Sequence, residues 1–249
     1  MLKTAEVPKI EYPDSDGKPM AETDDHRIQM TDALIHPLKE YFRDRPDVYV
    51  SGNMFLYYVE GEPTAVVAPD VFVVFGVANK RRRIYKLWQE GQVPAVVFEL
   101  TSRSTRHEDA GDKRFIYEDL GVREYFIFDP LREYLRPPLQ GYRLEGGFYT
   151  PLLPDELDTS EWELFSEELG LTLQTYGRDL RLYDEARDQY LYTPAEEAEA
   201  RRTAEAHMLA ETQARYEAEA RAEAEAAARR AAEAEIARLR ALLDQQERP

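Results

Sequence analysis

Dense apolar runs separated by strongly polar stretches set the order of elements along the chain. In residues 1–21, Pro8, Pro13, Gly17 and Pro19 interrupt any regular spacing and predict an extended arm. From Thr23 or Asp24, either of which can cap a helix, Ile28, Leu34, Ile35, Leu38, Tyr41 and Phe42 recur at helical spacing until Pro46. Residues 48–59 alternate as one strand kinked at Gly52 and Asn53. Residues 65–67 and 71–75 read as strand pieces on either side of Pro69 and Asp70, and a proline there marks a bend. The run 95–98 has the continuous apolar character of a strand buried on both faces, and it ends on the carboxylate of Glu99. After a Ser/Thr-rich turn at 101–105, Asp109, Lys113 and Tyr117 fall on one face of a helix that Gly121 closes. Residues 124–129 form another apolar strand. The predicted order is helix, strand, strand, strand, helix, strand: an α/β fold with a mixed sheet.

Beyond Pro130 the chain predicts a hairpin turning at Gly146 and Gly147, then strands at 169–176 and 180–183 and a short piece at 190–192, all extending or flanking that sheet. From Thr193 the composition becomes Ala, Glu and Arg with no glycine, predicting a helix of roughly 50 residues and ~75 Å. A heptad frame runs through Met208, Ala222, Ile236 and Leu243, with Leu239 at the other seam position. Only its last two heptads are apolar enough to pair, so a lone helix and a weak coiled coil both remain open. Three regions result: an arm at 1–21, an α/β domain with a β extension at 22–192, and a long helix at 193–249.

Composition narrows the function classes. The 249 residues contain no cysteine, which excludes disulfides, thiolate metal sites and a cysteine nucleophile. No apolar run approaches ~20 residues and the first residues lack the apolar core of a signal peptide, so the expectation is a soluble cytoplasmic protein with no membrane partner. Net charge is −17, of which the 13 acids and 9 bases of residues 193–249 account for −4. The α/β part is itself acidic and would repel a phosphate backbone, except at a local basic patch. One dense patch exists, at Lys80, Arg81, Arg82, Arg83 and Lys86, interleaved with Tyr85 and Trp88. It is either a phosphate-contacting helix or loop, or the solvated face of an amphipathic helix.

The candidate chemistry lies in two acids. Asp70 and Glu99 sit where apolar strands resume or end, and a buried carboxylate must be neutralised, hydrogen-bonded or bound to a cation. On neighbouring strands, ~4.8 Å apart, two acids at matching heights can hold one divalent ion; oxygen ligands favour Mg2+ or Mn2+. With Lys113 nearby, such a site suits phosphodiester hydrolysis. The plainer alternatives are an ion network joining these acids to Arg103, Arg106 or Lys113, a solvent-facing Asp109–Lys113 pair, and Tyr117 as packing. Acids and a histidine in the first helical turn either favour the helix dipole or send Glu22 or His26 into the site. The four histidines share no metal-ligand spacing.

Residues 19–130 resemble the Uma-two-like family of restriction endonuclease-like proteins, a branch of the PD-(D/E)XK nuclease superfamily. The resemblance is carried by Ala68-Pro69-Asp70, by FELTSRST at 98–105, by Asp109, Lys113 and Tyr117, and by GVREYFIFDP at 121–130. It implies that superfamily's α/β core, magnesium dependence and DNA cleavage, with Asp70 and Glu99 as metal ligands. The superfamily places its lysine two residues after the acid, where this chain has Thr101, so the resemblance implies that Lys113 takes that role from the next helix. Glu22 or His26 would complete the site as a first-helix acid does in similar nucleases. Cutting both strands implies a homodimer. The alternative from a different class is an inactive nuclease-fold scaffold that recruits a protein partner through its C-terminal helix.

Overall fold

The computed structural model describes residues 10–15, 24–101, 111–153 and 161–246. The chain divides into two compact units, residues 1–194 and 195–249.

Unit one is organised by a six-stranded mixed sheet in the order β1 (Val48–Ser51), β4 (Val71–Phe75), β6 (Val96–Leu100), β7 (Glu124–Phe128), β8 (Leu139–Glu145), β9 (Phe148–Leu152). β4 runs antiparallel to β1 and β6, whereas β6 and β7 are parallel and joined through helix α4 (Lys113–Leu120). The central strands are buried except for the half-buried Phe75 at the end of β4, as sequences apolar but for Glu99 and Glu124 lead one to expect. Their side chains alternate between two cores. Val71, Val73, Val96, Phe98, Phe126 and Phe128 enter one, and Phe72, Val74, Val97, Tyr125 and Ile127 the other. The predicted order of helix and strands is present, with smaller elements inserted.

The first core is closed by the N-terminal helix and by a second, four-stranded sheet of β10 (Glu163–Ser166), β11 (Leu171–Tyr176), β12 (Asp179–Asp184) and β13 (Gln189–Tyr190). The C-terminal strands thus flank the main sheet, while the β8–β9 hairpin extends it. That hairpin turns at Gly146 and Gly147, both at positive φ (62° and 91°), as a two-residue turn matched to strand twist requires. The N-terminal helix is α1 (Asp24–Ile28), a π-helical stretch (Gln29–Ile35) and α2 (His36–Tyr41). The widened spacing changes which residues face the core: Met30, Ala33, Leu34 and Leu38 are buried, whereas Ile28, expected inside, is exposed. Pro37, which has no N–H for the carbonyl one turn earlier, is the second residue after the widened stretch.

Two expectations are corrected. Residues 48–59 are not one kinked strand. Asn53 takes a left-handed φ of 45° and donates its amide to Pro69 and Asp70 carbonyls, which turns the chain out of the sheet. Leu56–Tyr57 (β2) then pairs with Val66–Val67 (β3) and Tyr85–Lys86 (β5) in a separate three-stranded sheet. Nor is 79–91 one helix. The Tyr85 amide bonds Phe55 and draws β5 alongside β2, leaving only α3 (Leu87–Glu90) helical. Of the arm, residues 10–15 lie against this small sheet: Tyr57 OH donates to the Pro13 carbonyl at 2.6 Å, and the Tyr12 ring packs on Tyr57 and Trp88.

Unit two is α5 (Pro194–Gln246), 53 residues and so ~80 Å long. Apart from the half-buried Pro194 and Glu196 its described residues are exposed, and Arg–Glu pairs one turn apart, such as Arg201–Glu205 and Arg229–Glu233, support it along its length.

Candidate active site

The β4–β6 ladder pairs Val71 with Phe98, Phe72 with Val97 and Val73 with Val96. Continued by one residue, this register sets Asp70 opposite Glu99. Residues directly opposite each other on antiparallel strands point to one face, with Cβ atoms ~4.5–5.5 Å apart. By alternation that face is the one bearing Phe72, Val97 and the α4 residue Tyr117. The two acids therefore share a side of the sheet, at the edge where β4 begins and β6 ends.

Glu99 is wholly buried, and both of its oxygens accept bonds from α4. Lys113 Nζ lies 2.8 Å from Oε2, and Tyr117 OH donates to Oε1 at 2.7 Å. The four-residue spacing of the lysine and tyrosine sets them one above the other on the helix, so a single carboxylate meets both. A solvent-facing Lys113 is thereby corrected: its side chain is 18% exposed and its ammonium reaches the strand acid. Burial pushes the Tyr117 phenol far above its ordinary value and the neighbouring Glu99 charge adds to this, so it donates as a neutral hydroxyl.

Asp70 is held from different directions. His26 Nε2 lies 3.2 Å from Oδ1, and the Leu100 amide donates to Oδ2 at 2.7 Å. Burial pushes the Asp70 carboxyl up, but the His26 ring, the Lys113 ammonium and the Leu100 amide together outweigh it and leave it below the usual carboxylate range. Lys113 thus acts on both acids. The close approach of the chain after β1 also matters, because a Cβ on Gly52 would lie 2.0 Å from the Asp70 carbonyl oxygen. Glycine is required there by space and not by φ.

Four of the sequence-derived site residues, Asp70, Glu99, Lys113 and Tyr117, converge, and His26 joins them from α1. Thr101 is buried directly after β6, its amide extending the ladder to the Phe128 carbonyl at 2.8 Å. Strand alternation puts it on Glu99's side, where the superfamily lysine would stand, while Lys113 brings an ammonium to that acid from α4. Glu22, Asp109, Arg103 and Arg106 lie outside the described residues. Sequence reasoning missed Gln29, whose side-chain amide donates to Asp179 at 2.6 Å and accepts from the Leu180 amide at 2.9 Å, tying the His26 helix to the second sheet. Its polarity on an otherwise apolar helix face was the available signal.

The basic cluster is corrected in part. The Arg82 side chain is only 4% exposed; it grips Glu90 with two nitrogens at 2.9 and 2.8 Å and lies 4.2 Å over the Tyr49 ring. It is a structural cation, and Tyr85, fully buried, is core and not a stacking platform. Arg83 pairs with Asp14 of the arm, Lys80 lies 3.8 Å from Glu90, and the Lys86 ammonium sits 4.0 Å over the Tyr12 ring. Lys80, Arg81 and Arg83 remain on the surface.

The donor set suits a hard cation. Asp70 and Glu99 offer only oxygen, on one face, and magnesium characteristically takes one or two protein carboxylates and keeps its remaining waters. Among the described residues no group of three or more His, Cys, Asp or Glu is assembled that could hold a metal ion.

No curated protein matches the chain. A crystal structure from Anabaena variabilis ATCC 29413, described as a "putative nuclease belonging to DUF820", aligns with a TM-score of 0.41 and 13% identity, covering 61% of this chain and 84% of that one. The family described as "Putative restriction endonuclease", Uma2, matches residues 2–174. That span includes both acid-bearing strands, the Lys113 helix and the hairpin beyond them, and the chain belongs to the Uma2 family.

Proposed function

We propose that the protein is a nuclease that hydrolyses phosphodiester bonds in DNA with the help of a divalent cation, Mg2+ or Mn2+, held by Asp70 and Glu99. The observation that carries this reading is the β4–β6 register, which sets the two carboxylates opposite each other on one face with Lys113 acting on both. When bound, the cation polarises a phosphoryl oxygen and acidifies a water. The chain's own residues do the rest. His26 and the Leu100 amide hold the Asp70 carboxylate in place. Tyr117 holds that of Glu99, and the Lys113 ammonium offsets negative charge growing on the phosphoryl group. Family membership supports nucleic acid as the substrate, and the surface residues Lys80, Arg81 and Arg83 are cations of the basic loop that can meet phosphate. Cutting both strands calls for two copies of the site. The exposed α5 is the element offered for pairing two chains or for a protein partner.

A second reading, a nuclease fold that binds without cutting, draws on one observation: Lys113 and Tyr117 already satisfy both Glu99 oxygens, as in a purely structural buried pair. Nicking of supercoiled plasmid in Mg2+ or Mn2+ separates the two. The expected result is cleavage by wild type that falls by ~10²-fold or more in Asp70→Ala and Glu99→Ala, since each removes several kcal/mol of charge stabilisation. Equal activity in all three proteins rejects the catalytic assignment.

A further inference from the structure

Two of the groups that hold Glu99, Lys113 and Tyr117, differ in how readily they can let go. Tyr117 is fully buried on the interior face of α4, with its ring 5.2 Å from that of Tyr125. Its hydroxyl cannot swing away without leaving a buried oxygen unsatisfied. Lys113 stands at the first residue of α4, partly exposed, on a flexible four-carbon stem with a strongly hydrated head. Glu99, wholly enclosed, cannot be stripped of positive charge and left bare. A cation can therefore enter only as the ammonium leaves, at the oxygen the ammonium holds.

We infer that Tyr117 is a positioning residue for the cation site: its hydroxyl fixes Glu99 through Oε1, and a divalent cation enters at Oε2 in exchange for the Lys113 ammonium. The inference rests on the reading of Asp70 and Glu99 as cation ligands and adds to it a division of labour between the two α4 residues. Tyr117 keeps the carboxylate plane fixed in both states. Lys113 serves as the resident counter-ion before the cation binds, and its release turns the ammonium outward, toward the place where a phosphate would lie.

This division makes the two residues differ in sign although they touch the same carboxylate. Removing the tyrosine hydroxyl frees Glu99 to rotate and weakens cation binding. Removing the lysine charge removes the cation's competitor and tightens binding. If both residues merely pack or pair for stability, neither substitution moves the cation affinity in that pattern.

The test measures Mn2+ binding to the full-length protein by the paramagnetic resonance signal of unbound Mn2+, in wild type, Glu99→Gln, Tyr117→Phe and Lys113→Gln, with thermal unfolding of each. Tyr117→Phe is expected to bind ~10–100-fold more weakly, the usual cost of losing a group that orients a ligand. Lys113→Gln is expected to bind more tightly than wild type. Wild-type affinity in Tyr117→Phe, or binding in Lys113→Gln no tighter than wild type, overturns the inference. Should Tyr117→Phe fail to fold, Lys113→Gln decides alone: binding tighter than wild type supports the exchange, and equal or weaker binding refutes it. Wild-type affinity in Glu99→Gln brings down the underlying cation reading as well, so the two failures are distinguishable.

Discussion

Gly52 is the position where a single methyl group tests how the site is held. An alanine Cβ there would lie 2.0 Å from the Asp70 carbonyl oxygen, 3.0 Å from its carbonyl carbon and 2.9 Å from Ile35 Cδ1. Backbone and core side chain crowd it together, so relief needs the segment after β1 to move about 1 Å or more from Asp70. The same movement strains the two bonds from the Asn53 amide to the Pro69 and Asp70 carbonyls, at 2.8 and 3.2 Å. Overpacking costs ~1–3 kcal/mol and each of the two weakened bonds ~0.5–1.5 kcal/mol, giving ~2–6 kcal/mol for Gly52→Ala. With a urea m value of ~1–3 kcal/mol/M, the unfolding midpoint should drop by roughly 1 M or more. Because the displaced group is Asp70 itself, plasmid nicking should fall ~10²-fold under conditions where the variant is still folded. Gly111→Ala is the control, since nothing lies within 4 Å of its Cβ and its φ is ordinary. A Gly52→Ala midpoint equal to that of Gly111→Ala, with full activity, would refute the close approach as the device that places Asp70.

Three further outcomes are expected. Burial pushes the Tyr85, Tyr117 and Tyr149 phenols upward, so the folded chain keeps protons that the unfolded chain releases above pH ~10; stability should fall as pH rises past that point, by up to ~1.4 kcal/mol per unit for each. Tyrosinate absorbance at 295 nm should accordingly rise in two stages, the second coincident with unfolding, and a single stage near pH 10 in folded protein would contradict it. Arg82→Ala, which strands the Glu90 carboxylate, should destabilise by ~1–3 kcal/mol in urea unfolding, whereas Arg83→Ala should leave stability within ~0.5 kcal/mol and instead reduce the salt dependence of DNA binding. A peptide of residues 194–246 should show strong helical circular dichroism that melts broadly; a sharp melt that shifts with concentration would show a coiled coil in place of a lone helix.

Much of this arrangement is legible in the chain because burial on both faces leaves a plain mark. The runs around β4, β6 and β7 are mostly apolar, so Asp70 and Glu99 stand out as charges beside or within them. The spacing of Lys113 and Tyr117 likewise foretells that they share a helix face. The rest depends on long-range pairing that local pattern does not encode. The basic run can be read as helical because Ile84, Leu87 and Trp88 fall at helical spacing, yet Arg82 finds Glu90 and Tyr49, and β2 draws Tyr85 and Lys86 into a strand. The π-helical stretch hides the true buried face of the first helix, since a 3.6-residue period misplaces Ile28 and passes over Met30. His26 could be named only as one of several polar residues in a first turn, because its partner lies 44 residues away.

The most direct measurement is a crystal structure of the wild-type protein grown with Mn2+, with the ion located by anomalous scattering. The account predicts a peak between β4 and β6, within ~2.0–2.6 Å of one oxygen of Asp70 and one of Glu99, and with the Lys113 ammonium no longer on Glu99 Oε2. Saturating Mn2+ with no ion at these carboxylates, and Lys113 still bound to Glu99, would contradict it.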